Sequence, residues 1–124
     1  MHQNAINWFE IPVTDMTRAR KFYRAILGVE ITPMPDAPMP YAFFPVEMTP
    51  NSVGGALSQG DGQKPSQEGT LVYLNCEPDL AVVAGRVEAA GGKVLMPKTS
   101  IGENGFMAFI LDTEGNKVGL HSMK

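Results

Sequence analysis

The sequence predicts an α+β fold of mostly antiparallel strands, laid out twice along 124 residues. Three observations predict it. Asp15 and Asp79 stand 64 residues apart, and so do Gly28 and Gly92, so helix starts and helix stops recur at one interval. Each helix is followed by three strand-like runs joined by short turns, which favours antiparallel pairing over the crossovers of a parallel sheet. The chain also closes on its plainest hairpin. Asn104–Leu111 leads into Asp112-Thr113-Glu114-Gly115-Asn116 and then Lys117–His121, with Gly115 free to take the positive φ of a tight turn.

In chain order, Ala5–Val13 is β-branched and aromatic and reads as a strand, with Pro12 near its end where a missing N–H does least harm. Thr14 or Asp15 caps a helix to Leu27, in which Met16, Ala19, Phe22, Tyr23 and Ile26 recur at helical spacing before Gly28 stops it. Val29–Thr32 is a short strand, and the four prolines of 33–40 make a loop. Tyr41–Met48 and Val53–Gln59 are strands about the turn 49–52, and the polar, glycine-rich 60–68 is a linker. The plan then repeats. Gly69–Cys76 is a strand, Asp79 caps a helix with Leu80, Val83, Ala84, Val87 and Ala90 on one face, Gly91-Gly92 stops it, Lys93–Leu95 is a short strand, and 96–104 is a loop before the closing hairpin. Residues 1–124 thus make one domain, with module one at about 5–59 and module two at about 69–122.

Bulk properties exclude several roles. The formal charge is −3 and the 10 Lys and Arg are scattered, so nothing tracks a phosphate backbone and nucleic acid is not expected as a partner. No apolar run approaches the roughly 20 residues of a membrane span, and the start shows no charged leader, so a soluble, cytoplasmic protein is expected, with no membrane partner. A lone Cys76 closes no internal disulfide, which suits a reducing compartment, and it reads as a small buried hydrophobe. The acidic turn 112–116 is too short for an EF-hand loop, and Gly54-Gly55 and Gly91-Gly92 lack the order of a phosphate cradle.

Pro12-Val13-Thr14-Asp15-Met16, Arg18-Ala19, Phe22-Tyr23, the Gly28 after the helix, and Phe109 through Asp112-Thr113-Glu114-Gly115-Asn116 to Leu120 resemble the vicinal oxygen chelate superfamily of glyoxalases, bleomycin and fosfomycin resistance proteins and extradiol dioxygenases. The resemblance implies two tandem βαβββ modules that form an open, mostly antiparallel, barrel-like sheet around a concave site, usually in a homodimer. It further implies a divalent metal held by side chains from the first and last strands of each module. Its reactions range over lyases, isomerases, oxygenases and pure binders, so fold alone does not choose among them.

Counted from the capping aspartate, the first metal position falls on Trp8, and the 64-residue interval carries it to Val72. The last-strand position falls on Gly119, and its first-half counterpart on Gly55. None of these four offers a ligating side chain, and a shift by one residue does not restore a set. With His2 and His121 as the chain's two histidines, no cofactor is expected, although a divalent metal is the family norm.

The expected cup between the modules is lined by Trp8, Glu10, Phe44, Leu57, Val72, Leu74, Phe106, Ala108, Gly119 and His121. Trp8 supplies a wall, and the methionines at 34, 39, 48, 96 and 107 supply adaptable apolar surface. Glu10 and His121 are the candidate acid–base pair for a proton shift beside a carbonyl; the same residues also read as a sheet-edge carboxylate and a terminal-strand histidine with structural partners. The expected function is a metal-free glyoxalase-like protein that binds or acts on an oxygenated small molecule. Alternatives are a metal-dependent lyase or dioxygenase of the same superfamily, a sequestration protein without turnover, or a subunit of a larger assembly.

Overall fold

The computed structural model describes residues 4–47 and 49–124. His2, and Met48 at the expected end of the third strand, lie outside the described residues. The first half runs β1 (Trp8–Pro12), α1 (Met16–Leu27), β2 (Thr32–Pro33), β3 (Tyr41–Phe43) and β4 (Gly54–Ser58). The second runs β5 (Tyr73–Asn75), α2 (Leu80–Val87), β6 (Lys93–Ser100), a single 3-10 turn at Gly102–Asn104, β7 (Phe106–Leu111) and β8 (Lys117–Ser122).

Each half is a four-stranded sheet under one helix. The strand orders are β1-β4-β3-β2 and β5-β8-β7-β6. The first and last strands of each half pair parallel, while every other pairing is antiparallel. The two sheets are α+β modules of one design, and neither closes into a barrel.

Local chemistry accounts for both helices. Asp15 accepts the Arg18 N–H at 3.0 Å and Asp79 accepts the Ala81 N–H at 2.9 Å, so each aspartate satisfies a donor that the first turn would leave unpaired. Gly28 ends α1 in the left-handed region at φ 69°, its N–H donating to the Arg24 carbonyl. Ala19, Phe22, Tyr23 and Ile26 bury one stripe of α1; Leu80, Val83 and Val87 do the same for α2. These side chains, with Ile11 and Val13 of the first half and Leu74, Ala108, Ile110, Val118 and Leu120 of the second, make one continuous core.

Several strand limits differ from those the sequence predicts. β6 extends through Pro97 to Ser100, where a loop is expected; it is an edge strand, so the missing N–H of proline is tolerated, and the pairing with β7 shifts register on either side. The third strand ends at Phe43, ahead of Pro45, and β5 keeps only Tyr73–Asn75 of the expected Gly69–Cys76.

The turn between β7 and β8 locks the modules together. Glu114, its side chain fully enclosed, accepts the Thr14 and Asp15 N–H groups at 2.9 and 2.8 Å and the Arg18 Nε at 2.6 Å. Asp112 accepts the buried Tyr23 hydroxyl at 2.6 Å, and Asn116 donates to the Pro12 carbonyl at 2.7 Å. A loop of module two therefore holds Thr14 and the capping Asp15, the segment that leads into the helix of module one.

Candidate functional site

The face of each sheet turned away from its helix is the open one. On β1, Ile11 is 3% exposed and joins the core, whereas Trp8 is 40% exposed and Glu10 lies at the surface, so alternation puts Trp8 and Glu10 on the open face. Across the sheet that face carries Tyr41 and Phe43 of β3 above the small residues Gly54, Ala56 and Ser58 of β4. The Trp8 Nε1–H donates to the Tyr41 hydroxyl at 2.9 Å, which in turn donates to Glu10 Oε2 at 2.7 Å. Burial pushes the Tyr41 phenol up, and its bond to Glu10 adds to that shift against the opposing indole.

On the second sheet the core takes Leu74, Ala108, Ile110, Val118 and Leu120, so the open face carries Tyr73, Asn75, Met107, Phe109, Lys117, Gly119 and His121. Tyr73 tilts against Phe109 with centroids 6.1 Å apart, and its hydroxyl points to Met107 Sδ at 3.8 Å. His121 Nε2 lies 2.7 Å from the Asn104 carbonyl, which can only accept, so the ring proton sits on Nε2.

The pairing registers give the true correspondence between modules. Trp8 pairs with Gly54, and Tyr73 pairs with Gly119, so strands repeat at an interval of 65 while the helix caps repeat at 64. The second module joins strand to cap with one residue fewer. This corrects two expected metal positions: the counterpart of Trp8 is Tyr73, with Val72 one step off, and the counterpart of Gly119 is Gly54, with Gly55 one step off. At both true pairs an aromatic ring lies over a cross-strand glycine. A Cβ at Gly54 would stand 3.0 Å from Trp8 Cζ3, and a Cβ at Gly119 would stand 2.5 Å from Tyr73 Cδ2.

These four residues do not fit the divalent cation of the superfamily. Two have no side chain, the indole has only a donor and gives it to Tyr41, and the phenol stands alone among them as an oxygen. Among the described residues no group of three or more His, Cys, Asp or Glu side chains is placed to hold a metal ion.

The same one-residue shift relocates several expected lining residues. Leu74 and Ala108 are in the core on the helix side, with Phe106 packed against it. Leu57 and Phe44 are core residues of the first half, Phe44 wedged between Phe9 and Tyr23. Val72 is partly buried and, together with Glu10, Pro12, Thr70 and Lys117, lines a groove of about 110 Å³ along the seam between the sheets. Glu10 and His121 serve different partners, Tyr41 and Asn104, with no hydrogen bond between them. Tyr41, Phe43, Tyr73 and Phe109 stand on the open face outside the expected lining; their alternation with Ala42, Leu74 and Ala108 places them there once the pairing registers set the strand parity. Cys76 is 3% exposed and burial pushes its thiol up to about 11, which suits an inert core position.

Comparison with known proteins agrees with this architecture. The sequence model of the Glyoxalase/Bleomycin resistance protein/Dioxygenase superfamily matches residues 5–120. The candidate glyoxylase CFP32 of Mycobacterium bovis is 30% identical over 122 residues, covering 95% of this chain and 45% of the relative; the same figures hold for CFP32 of Mycobacterium tuberculosis. The chain thus spans about half the length of these curated relatives. A glyoxalase/bleomycin resistance protein from Albidiferax ferrireducens shares the fold at a TM-score of 0.75 and 16% identity, over 98% of this chain and 100% of that one. A glyoxalase-related enzyme from Fulvimarina pelagi does so at 0.68 and 18%, over 98% and 88%. Family match, duplicated modules and the Asp112–Asn116 turn converge, and the chain belongs to the Glyoxalase/Bleomycin resistance protein/Dioxygenase superfamily.

Proposed function

We propose that this chain binds a small molecule on the open aromatic faces of its sheets without a metal ion. The observation that supports the reading is the pair of rings over glycines, Trp8 on Gly54 and Tyr73 on Gly119, at the strand positions where the family resemblance implies ligating side chains. Such an exchange replaces a cation seat by stacking surface, and Trp8, Tyr41 and Phe43 extend that surface with the Glu10 carboxylate at its margin. The free edges of β1 and β5 support a homodimer, in which a second copy would cover these faces. A lone, buried Cys76 suits a cytoplasmic setting. As an enzyme, the chain would use Glu10 or His121 as proton carrier to a ligand that reaches both sheets.

A thermal-shift panel of planar oxygenated molecules, run with excess chelator, tests the reading. Binding stabilises the native state in proportion to ligand excess, so a dose-dependent rise in Tm that chelator leaves unchanged is the expected result. Stabilisation that appears only after a divalent metal is added would refute it. Turnover of a stabilising ligand, lowered about 10²-fold by Glu10→Ala or His121→Ala, would mark the enzyme.

A further inference from the structure

The open face of the first sheet has a polarity that narrows the ligand. Trp8 and Phe43 meet edge to face with centroids 6.0 Å apart and planes at 71°; Tyr41 and Phe43 do so at 5.5 Å and 82°. An indole N–H only donates, which makes Tyr41 the acceptor from Trp8 and the donor to Glu10. The proton chain therefore ends on a carboxylate, and the cluster's remaining polar capacity is acceptor capacity. Glu10 takes part in neither ion pair among the described residues, which are Arg18–Glu114 and Lys98–Asp79. Lys64 and Lys117 line the same groove as Glu10 and form neither of these ion pairs. Ring faces are the negative regions of an aromatic quadrupole. Taken together, the first sheet offers negative ring faces, a carboxylate and no cation of its own.

The second sheet shows how this chain satisfies such a surface. There Lys117 Nζ lies 4.4 Å from the centroid of the Phe109 ring, so an internal ammonium occupies the aromatic face.

We propose that Trp8, Tyr41, Phe43 and Glu10 bind the ammonium group of a small organic cation, the rings taking its alkyl surface and charge and Glu10 neutralising it. This rests on the metal-free binding reading and assigns its ligand class. No bond is made or broken.

Trp8 is the chain's single tryptophan, so its fluorescence reports on the site without a label. The experiment titrates the full chain, in chelator and at fixed ionic strength, with choline and tetramethylammonium, with the neutral carbon isostere of choline, and with naphthol as an uncharged planar probe. The expected result is a saturable change with both ammonium ions, at least about tenfold weaker with the isostere, and weakened roughly three- to tenfold by Glu10→Gln and by Phe43→Leu. Equal response to choline and its isostere, or choline binding unchanged in Glu10→Gln, overturns the assignment of charge. Response to naphthol with none to either cation overturns it while leaving metal-free binding intact. Silence toward every probe overturns both.

Discussion

Tyr73 lies across the backbone of Gly119, its Cδ2 2.5 Å from where a side chain would begin, and this contact closes that position of the last strand to any side chain. A Cβ there has to move the ring near its root, where the side chain is stiffest. Gly119→Ala is therefore expected to destabilise by about 1–3 kcal/mol, the range for overpacking. Tyr73→Ala in the same chain should recover most of that loss. Urea unfolding of the two single variants and the double variant measures the coupling; additive losses would contradict it.

Glu114 gives the fold an acid limit. Burial pushes its carboxyl up, but Arg18, the Thr14 and Asp15 amides and the Thr113 hydroxyl outweigh that and hold it at about 2, below the ordinary 4.5. A carboxyl depressed by folding stabilises fully above its unfolded value and loses that contribution as pH falls through its folded value. The contribution is thus present above pH 4.5 and lost as pH falls from 4.5 to about 2. Glu114→Gln is expected to cost about 2–3 kcal/mol at neutral pH and to flatten the stability profile across that window. Urea midpoints measured from pH 2 to 7 check both.

Tyr23 and Asp112 form the buried hydrogen bond between the modules. Burial, then the neighbouring Asp112 charge, pushes the Tyr23 phenol well above its ordinary value, so it stays a donor across the accessible pH range. Tyr23→Phe keeps the ring but removes one donor from an enclosed carboxylate that also accepts from the Glu114 and Asn116 amides. The expected loss is about 1–3 kcal/mol. An unchanged chemical-denaturation midpoint would show that this bond adds nothing to the packing of the ring.

How far the sequence was legible follows from the range of each signal. Caps and stops are local: Asp15, Asp79, Gly28 and the Gly115 turn announce themselves within a few residues, and all four stand where the pattern puts them. The duplicated α+β plan follows from those marks. Strand parity is not local. Equal spacing from cap to strand does not hold here: Trp8 precedes Asp15 by seven residues and Tyr73 precedes Asp79 by six. A slip of one residue sends every side chain to the other face, which is why Val72, Leu74, Phe106 and Ala108 were expected in the cup and Tyr73 and Phe109 were not. The β6 strand runs past its expected end for a different reason: Pro97 reads as a breaker in sequence, and only the edge position of the strand makes it tolerable.

Trp8, Gly54, Tyr73 and Gly119 together lack the donors to seat a divalent ion, and elemental analysis of tag-free protein tests this most directly. After growth with added nickel, zinc, manganese and iron, the dialysed chain is expected to carry far less than one ion per molecule and to show the same Tm with and without chelator. One tightly held ion per chain, with a fall in Tm on chelation that Gly54 or Gly119 variants abolish, would contradict it.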